Sequence, residues 1–553
     1  MKERKVWKVI DKNSVPTDRR LIKCKWVWKI KRNGVYRARL VACGYSQIPG
    51  VDFFETYAPL VNDVTWRVLL AIKIVNGFVS IIIDVETAFL HGELQETIYM
   101  QCPEGMDVEQ NKALQLLGTI YGLVQSARGW WSKFKKDLKA MGFTGGEVDP
   151  CLFMREDEAG LVYLALYCDD CLVIGNQRAV DKCLKDIKSK YTVKVETELK
   201  DYLSCEIVES KDKKKAWIGQ PHLIKKIEAE FGEKVEKLSK YRTPGTPGHA
   251  IIRDPEPGLS DDKQRNYRSG VGMLLYLVKN MRLDIANAVR ELTKVMDRAN
   301  RAAYKELHRV LKYVLDTKEL GLKFAPNVEE KGWRMTVYTD SDYAGDQDTR
   351  ISVTGYVLFL KGAPIVWKSK AQRSVTLSSS EAEYVALSEA AKEVKFVAQL
   401  MESIGKPLEL PIIVRVDNIG AIFMTENVST SPRTKHVSTR FMYVREFVEE
   451  GFIKIIFVKT KENVADIFTK NVSGDIMEAH LPHMLGEREK LEEFKPAALD
   501  SGRVLESDSK ATGGRAKIPK PKSDYTGEQK HNNPRTSDLN SEQIDLNKGN
   551  KIQ

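Results

Sequence analysis

The chain has 553 residues. This length is too great for a single hydrophobic core, so we expect roughly three or four domains. With 42% hydrophobic and 29% charged residues the composition is that of an ordinary globular protein, and the net charge of +11 mildly favours polyanionic partners. No apolar run is long enough to cross a bilayer and no secretory leader follows Met1, so we expect an intracellular protein without a membrane partner.

The eight cysteines all lie between Cys24 and Cys205, and their uneven spacing is not that of a disulfide framework. An intracellular chain should keep them reduced. Cys168 and Cys171 have the C-x-x-C spacing, but a structural zinc site needs a second pair of ligands nearby, and the sequence offers none at a suitable spacing. The pattern therefore argues against a zinc or redox role.

The first elements in chain order are a hairpin, a strand and a helix. Residues 23–42 alternate around Asn33-Gly34, which predicts a β-hairpin with a basic face and interleaved tryptophans. An apolar run predicts a strand over 79–83 that ends in Asp84. An amphipathic pattern predicts a helix over 127–141.

The next element is a second hairpin, and its tip is acidic. Apolar runs over 161–166 and 171–175 flank Tyr167-Cys168-Asp169-Asp170. Adjacent carboxylates beside buried surface repel each other, and a hard divalent cation relieves that repulsion. Together with Asp84 they would form a three-carboxylate cradle of the kind that holds two metal ions for phosphoryl transfer. The alternatives are a solvated polar turn for the hairpin tip and a helix N-cap for Asp84.

The rest of the chain divides at a turn-rich break. A Lys-rich helix is predicted near 180–191, and the break itself, 243–258, is dense in Pro and Gly. Helices are predicted over 267–315, and strands from 335 to about 366 are followed by alternating helix and strand to about 470. Beyond Pro496 aromatic residues nearly vanish and polar residues dominate, which predicts disorder.

Four carboxylates recur after residue 335 at a strand end, in a helix, at a second strand end and where a last helix should start. They are Asp340, Glu381, Asp417 and Asp466. Such positions can converge on one metal cluster in a small α/β layer fold. Each alone is more simply explained as a cap or a surface acid.

Several blocks of the first half occur in the order found in one family. They are Ala38-Arg39-Leu40-Val41-Ala42, Glu55-Thr56-Tyr57-Ala58-Pro59, Asp84-Val85-Glu86-Thr87-Ala88-Phe89-Leu90-His91-Gly92, Ile120-Tyr121-Gly122-Leu123-Val124-Gln125-Ser126 and Tyr167-Cys168-Asp169-Asp170. The chain resembles, from about Val6 to Lys470, the reverse transcriptase and ribonuclease H portion of copia-type LTR retrotransposon Pol polyproteins. The resemblance implies an α+β multidomain protein: a right-hand polymerase with fingers, palm and thumb/connection, followed by a ribonuclease H-like α/β domain.

The resemblance also implies roles for individual residues. Asp84, Asp169 and Asp170 would be the metal ligands and catalytic groups of the polymerase. The substrate-binding residues would be Lys29, Lys31, Arg37 and Arg39 on the basic hairpin for the triphosphate, Phe89 for excluding a ribose 2′-hydroxyl, and Gln125 for the incoming nucleotide. Cys168 and Glu86 depart from the family pattern, in which Val and Lys are common at those positions.

The second carboxylate set resembles a ribonuclease H domain. The matching blocks are Thr339-Asp340-Ser341-Asp342-Tyr343-Ala344-Gly345-Asp346, Ser379-Ser380-Glu381-Ala382-Glu383-Tyr384 and Val416-Asp417-Asn418. Asp340, Glu381, Asp417 and Asp466 would then be catalytic metal ligands for hydrolysis of RNA in a hybrid, recognised by its 2′-hydroxyls. Many ribonucleases H carry a mobile His before the last helix, but residues 459–463 contain none. His436 is better explained as a solvated or backbone-bonded side chain than as that group.

These observations predict an RNA-directed DNA polymerase with ribonuclease H activity that uses two Mg²⁺ ions per site, with Mn²⁺ as a substitute. Its partners would be an RNA template, a DNA primer, the RNA–DNA hybrid and dNTPs, and a homodimer or an integrase of the same element is a further candidate. We expect it in the cytoplasm, within a virus-like particle, or in the nucleus.

We divide the chain into a reverse transcriptase (1–245), a helical thumb/connection (246–330), a ribonuclease H-like domain (331–475) and a polar, disordered tail (476–553). The alternative function is a catalytically silent or host-adopted nucleic-acid-binding relic. Two features favour that alternative: the helix that usually precedes the first strand of the family is missing, as are protease, integrase and zinc-knuckle portions.

Overall fold

The computed structural model describes residues 5–30, 34–253, 258–426 and 438–497. The architecture is α+β with several sheets, as predicted. None of the helices within these ranges is both long and apolar enough to cross a membrane.

The first part of the chain is mostly β-structure with three helices. Its elements are β1 (Trp7–Asp11), β2 (Leu21–Ile22), β3 (Cys24–Ile30), β4 (Tyr36–Ala42), α1 (Asp63–Asn76), β5 (Val79–Val85), β6 (Tyr99–Gln101), β7 (Lys112–Leu116), α2 (Ser126–Ala140), β8 (Thr144–Gly145), β9 (Leu152–Asp157), β10 (Gly160–Tyr167), β11 (Asp170–Gly175), α3 (Gln177–Lys190) and β12 (Val193–Glu196). The predicted hairpins and helices of this part are confirmed within a few residues.

A six-stranded antiparallel sheet, in the order β12-β5-β11-β10-β9-β8, carries the acidic hairpin. The apolar runs of β5, β10 and β11 are buried because α1 and α3 pack against these strands. Helix α1 begins at the side-chain cap of Asn62, which accepts from the Val64 amide, and ends at Gly77, whose φ of 64° suits glycine. We call this six-stranded sheet the central sheet.

The middle of the chain forms a second, smaller sheet and a helical group. Its elements are β13 (Asp201–Tyr202), β14 (Cys205–Glu209), β15 (Ala216–Gly219), α4 (Pro221–Val235), α5 (Asp261–Asn280), α6 (Ala286–Thr293), α7 (Arg301–Asp316) and β16 (Leu320–Phe324). The helices predicted between 267 and 315 are confirmed as α5, α6 and α7.

The last part is an α/β layer. Its elements are β17 (Met335–Asp342), β18 (Val353–Leu360), β19 (Ala363–Ala371), α8 (Ser379–Ser403), β20 (Ile412–Val416), α9 (Ile419–Glu426), α10 (Ser438–Glu449), β21 (Ile453–Phe457), α11 (Gly474–His480) and β22 (Leu485–Glu487). Five of these strands form one sheet in the order β19-β18-β17-β20-β21, in which β20 is parallel to both its neighbours. The long helix α8 packs across β17 and β18.

The prediction that the polar tail begins at residue 476 is wrong. Helix α11 extends to His480, and β22 pairs with β16, so the chain continues to add structure to the second sheet. Leu491 and Phe494 are buried there against Trp217. A few apolar residues were therefore enough to order a segment whose overall composition is polar. The rest of the predicted tail, from 498 onward, lies outside the described residues.

A buried arginine of α1 joins three parts of the chain. The guanidinium of Arg67 donates to the carbonyls of Lys279 and Asn280 at the end of α5 and to that of Ile365 in β19. It also lies over the ring of Trp367, 4.2 Å from the centroid, and the side chain is fully buried. This contact holds the central sheet, the helical group and the last sheet together.

We expect Arg67→Ala to lower the free energy of unfolding by about 2–4 kcal/mol, because three buried carbonyls lose their donor and the Trp367 ring loses its cation. Urea or thermal unfolding measures this loss. Arg242→Ala is the matched control: Arg242 pairs with Asp475 and Glu478 on the surface, so its removal should shift Tm far less. An equal shift for the two variants would contradict the joining role of Arg67.

Candidate active sites

The central sheet brings two acidic residues face to face. Asp84 at the end of β5 lies directly opposite Asp170 at the start of β11 in the antiparallel register. Opposed side chains on neighbouring strands have Cβ atoms about 5 Å apart. Asp169 precedes Asp170 in the tight turn, so the three predicted carboxylates of this site share one edge of the sheet.

The hairpin tip that carries Asp169 is held by its backbone. Cys168 has a positive φ of 59°, and its carbonyl accepts a 2.7 Å hydrogen bond from the indole of Trp130. The carbonyl of Asp169 accepts from the Val85 amide on β5. Neither of these two contacts uses a carboxylate oxygen.

Burial and neighbouring acidic groups raise the pKa values of Asp84 and Asp170. Burial raises the pKa of Asp170 to about 6, and the charges of Asp169, Asp84 and Glu196 add to the effect. Burial and Asp169 also raise the pKa of Asp84, against the opposing charges of Lys194 and Arg37. A divalent cation would relieve this repulsion, and carboxylate oxygens are the donors that Mg²⁺ prefers, so the residues fit such an ion.

The basic hairpin of β3 and β4 lies beside this site. Arg37 is close enough to lower the pKa of Asp84, and Arg39 lies over the ring of Tyr121, 5.1 Å from its centroid. The Tyr121 ring in turn packs against Phe89, with centroids 5.2 Å apart. Lys29 is exposed opposite Arg37 in the hairpin register. The predicted residue Lys31 lies outside the described residues.

Gln125 does not offer its side chain to a ligand in this structure. It is 5% exposed, and its amide nitrogen donates to the Asp52 carbonyl while its amide oxygen accepts from Gln47. The Gln125 side chain is thus hydrogen-bonded within the protein, and its contact with an incoming nucleotide stays a prediction. Gln125 instead ties the start of α2 to the loop that carries Gln47 and Asp52.

A second acidic cluster forms at the last sheet. Carboxylate oxygens of Asp340, Glu383 and Asp417 all lie within 4.8 Å of one another, the one such group found among the described residues. Parallel pairing explains the meeting of the two aspartates: each lies two residues beyond the last paired positions, Tyr338 and Arg415, of β17 and β20. Helix α8 brings Glu383 over them.

The assignment of Glu381 to this cluster is corrected by the structure. Glu381 is at the third position of α8, where its carboxylate accepts from the Leu377 amide while its own amide donates to the cap Ser378. This is a capping box, and it turns the carboxylate back toward the start of the helix. The pattern Ser-x-x-Glu at 378–381 is the sequence signal that Glu381 caps the helix. Glu383 is the glutamate that joins the cluster.

The fourth predicted acid, Asp466, lies beside Asp340. It raises the pKa of Asp340, which burial already raises, and it pairs with Lys470 at 3.2 Å. Burial and the charges of Asp340 and Asp417 raise the pKa of Glu383 well above its usual range. The Oε2 atom of Glu383 is buried without a hydrogen-bond partner. A buried orphaned oxygen among like charges fits a site for a hard cation. His436 lies outside the described residues.

Comparison with known proteins gives consistent matches. Residues 4–234 match the family described as "Reverse transcriptase (RNA-dependent DNA polymerase)". The chain is 33% identical over 473 residues to the "Retrovirus-related Pol polyprotein from transposon TNT 1-94" of Nicotiana tabacum, covering 83% of this chain and 35% of that protein. It is 30% identical over 468 residues to the polyprotein from transposon RE1 of Arabidopsis thaliana, covering 83% of this chain and 31% of the relative. The chain thus spans about a third of the length of these relatives.

Shorter and more distant matches complete the comparison. A "Putative transposon Ty5-1 protein" of Saccharomyces cerevisiae is 29% identical over 315 residues, which is 56% of this chain and all of that protein. Among solved structures, "foamy viral protease-reverse transcriptase in complex with RNA/DNA hybrid" aligns with a TM-score of 0.42 at 13% identity, covering 82% of this chain and 51% of that chain.

We expect Asp170→Asn to raise the thermal stability of the metal-free protein above pH 6. Folding lifts the pKa of this carboxyl from 3.8 to about 6, so the folded state holds the proton more tightly and loses stability as the pH rises through that window. The side-chain amide of the variant is uncharged, so it does not destabilise the folded state in this way. Unfolding in EDTA at pH 8 should show a higher Tm for the variant, and the gain should fade as the pH falls toward 4. Asp181→Asn on the exposed face of α3 is the control; a gain independent of pH would contradict the electrostatic origin.

Proposed function

We propose that the protein copies retrotransposon RNA into DNA and cleaves the RNA of the resulting hybrid, because residues 4–234 match the reverse transcriptase (RNA-dependent DNA polymerase) family. Family membership supports a nucleotidyltransferase. The observation that carries the proposal is the meeting of Asp84, Asp169 and Asp170 at one edge of the central sheet, on the matched segment.

The residues at the central sheet suit a nucleotide-transfer site. Bound Mg²⁺ ions would supply Lewis-acid chemistry, activating the attacking hydroxyl and stabilising the leaving oxygen. Asp84, Asp169 and Asp170 would hold these ions. Arg37 and Arg39 provide cations for a triphosphate, and Arg side chains bind phosphate oxygens through paired donors. Phe89, fixed by its packing on Tyr121, suits steric exclusion of a ribose 2′-hydroxyl.

The cluster at the last sheet suits hydrolysis of a phosphodiester. Asp340, Glu383 and Asp417 would hold the hydrolytic ions, with Asp466 alongside. Ser341 donates to Glu383 Oε1 through its amide and its hydroxyl, each at 3.0 Å, and so orients that carboxylate. The Asp340 carboxylate accepts from the Thr469 hydroxyl. We propose that this site cleaves the RNA strand of a hybrid, and that the first two domain boundaries lie at about residues 245 and 330.

We expect Asp169→Asn to reduce primer extension on poly(rA)/oligo(dT) with Mg²⁺ or Mn²⁺ below about 1% of wild type, because one carboxylate of the site is lost. Hybrid cleavage should persist, since its carboxylates lie on a different sheet. Purified wild-type protein that binds the hybrid but incorporates no nucleotide would overturn the proposal and favour a silent relic. Loss of both activities in the variant would contradict the separation of the two sites.

We expect Glu383→Gln to reduce hybrid cleavage about a hundredfold or more, because a carboxylate of the metal cluster is lost. Glu381→Gln is the matched control two residues away: it alters the helix cap and should retain most cleavage with a modest loss of Tm. Cleavage of a fluorescent RNA–DNA hybrid measures both variants. The reverse order of effects would restore Glu381 as the ligand.

A further inference from the structure

The exposed face of helix α2 carries a group of lysines that neither acidic cluster uses. The apolar face of this helix is buried in the main hydrophobic core. Away from the core, five side chains line an open cavity of about 370 Å³: Trp131, Ser132, Lys135, Lys136 and Lys139. Residues three and four apart on a helix are neighbours, so these side chains form one continuous surface. We call it the α2 basic surface.

The lysines of the α2 basic surface carry positive charge that the protein does not balance. Among the residues that the structure describes, no carboxylate pairs with the ammonium group of Lys135, Lys136 or Lys139. The neighbouring Lys133, in contrast, pairs with Asp137 at 3.2 Å. Lys135 and Lys139 are four residues apart, so their like charges repel each other and weaken the helix. A bound polyanion would remove this repulsion.

An aromatic ring lies within the same surface. The indole N–H of the half-buried Trp131 donates to the Pro150 carbonyl at 3.4 Å, which holds the ring in place. Lys135 Nζ lies 4.8 Å from the ring centroid. A cation–π contact at an exposed site is weak, so a nucleobase can replace the ammonium on the ring while the ammonium moves to a phosphate. An unpaired strand offers such a base, whereas a duplex keeps its base faces stacked.

The α2 basic surface lies apart from both acidic clusters. Pro150, which accepts from Trp131, leads into β9, on the side of the central sheet that ends in β8. Strand β10 separates β9 from β11, which begins at Asp170. The second cluster lies on a different sheet. A strand bound to the α2 basic surface would therefore leave both sets of carboxylates unoccupied.

We propose that the α2 basic surface is an additional binding site for a single-stranded polynucleotide, with Lys135, Lys136 and Lys139 on neighbouring phosphates and an unpaired base stacked on Trp131. The inference goes beyond the proposed function, because this binding needs no catalytic step. A membrane fits less well, since Trp131 is the one apolar side chain among the five that line the surface, and helices that bind membranes present a whole apolar face.

The test measures the affinity of the full chain for a fluorescent oligo(rU) in the presence of excess blunt RNA–DNA hybrid, which occupies any site for paired nucleic acid. We expect combined Ala substitution of Lys135, Lys136 and Lys139 to raise the Kd at least tenfold at about 0.1 M salt. The slope of log Kd against log salt should fall by about 2, because each phosphate contact of a single strand contributes about 0.7. Oligo(dU) should behave alike, since phosphates and base faces are common to both.

Substitution of the ring tests stacking separately from charge. We expect Trp131→Leu to raise the Kd about tenfold without changing the salt slope, and Trp131→Phe to retain most of the affinity, because base stacking needs an aromatic face and no charge. An abasic oligonucleotide should bind the wild type and Trp131→Leu equally. Loss of its binding in Trp131→Leu would contradict the stacked base.

The matched control removes the same charge elsewhere. Combined Ala substitution of Lys211, Lys213 and Lys214, in the exposed turn between β14 and β15, should leave the Kd within about twofold of wild type. Displacement of all the oligonucleotide by the hybrid, or equal weakening by the two triple variants, would overturn the inference. The Tm of the α2 variant should not fall, since it loses only exposed, mutually repelling charges. A wild type that binds oligo(rU) in this way but extends no primer would contradict the proposed function alone.

Discussion

The antiparallel pairing of β5 with β11 is the constraint on which the acidic site of the central sheet depends. It sets Asp84 against Asp170 and leaves Asp169 in the adjoining turn. The apolar runs of these strands are buried by α1 and α3, so the register cannot slip by one residue without turning every core side chain to the other face. The packing of the sheet thereby keeps these carboxylates close together, and burial together with the charges of Asp169, Asp84 and Glu196 raises the pKa of Asp170.

In the second cluster, too, strand pairing brings acidic residues together, but the strands are parallel. There, parallel strands β17 and β20 deliver two aspartates to one edge, and a helix adds the glutamate. Both sites hold several carboxylates close together in buried surroundings, which lowers the stability of the folded state. Such a loss of stability is common at functional sites. Arg67 and the hydrogen bond from the Tyr163 hydroxyl to the Ile404 carbonyl connect the elements that carry the two clusters.

Prediction from the sequence succeeded where the information is local. The acidic tip of the β10–β11 hairpin follows from two apolar runs around a polar tetrapeptide, and Asp84 from its place at a strand end. Prediction from the sequence was wrong where two nearby glutamates were both candidates for the metal cluster. Glu381 and Glu383 are two positions apart in a helix, so their side chains lie on different faces. The Glu381 side chain caps the start of the helix. The contact of Gln125 with a nucleotide, which the resemblance implies, stays a prediction, and its amide is hydrogen-bonded to Gln47 and Asp52.

The sequence by itself determined the resemblance to the reverse transcriptase family and the α+β class, and it named the candidate acidic residues of the two sites, because those features depend on motif order and on strand and helix periodicity. Only the tertiary structure decided which acids meet, that Lys194 lies opposite Asp84, and that residues after 476 add a strand to the second sheet. These outcomes depend on strand register, helix phase and long-range pairing. Such contacts join residues far apart in the chain, so no local pattern specifies them.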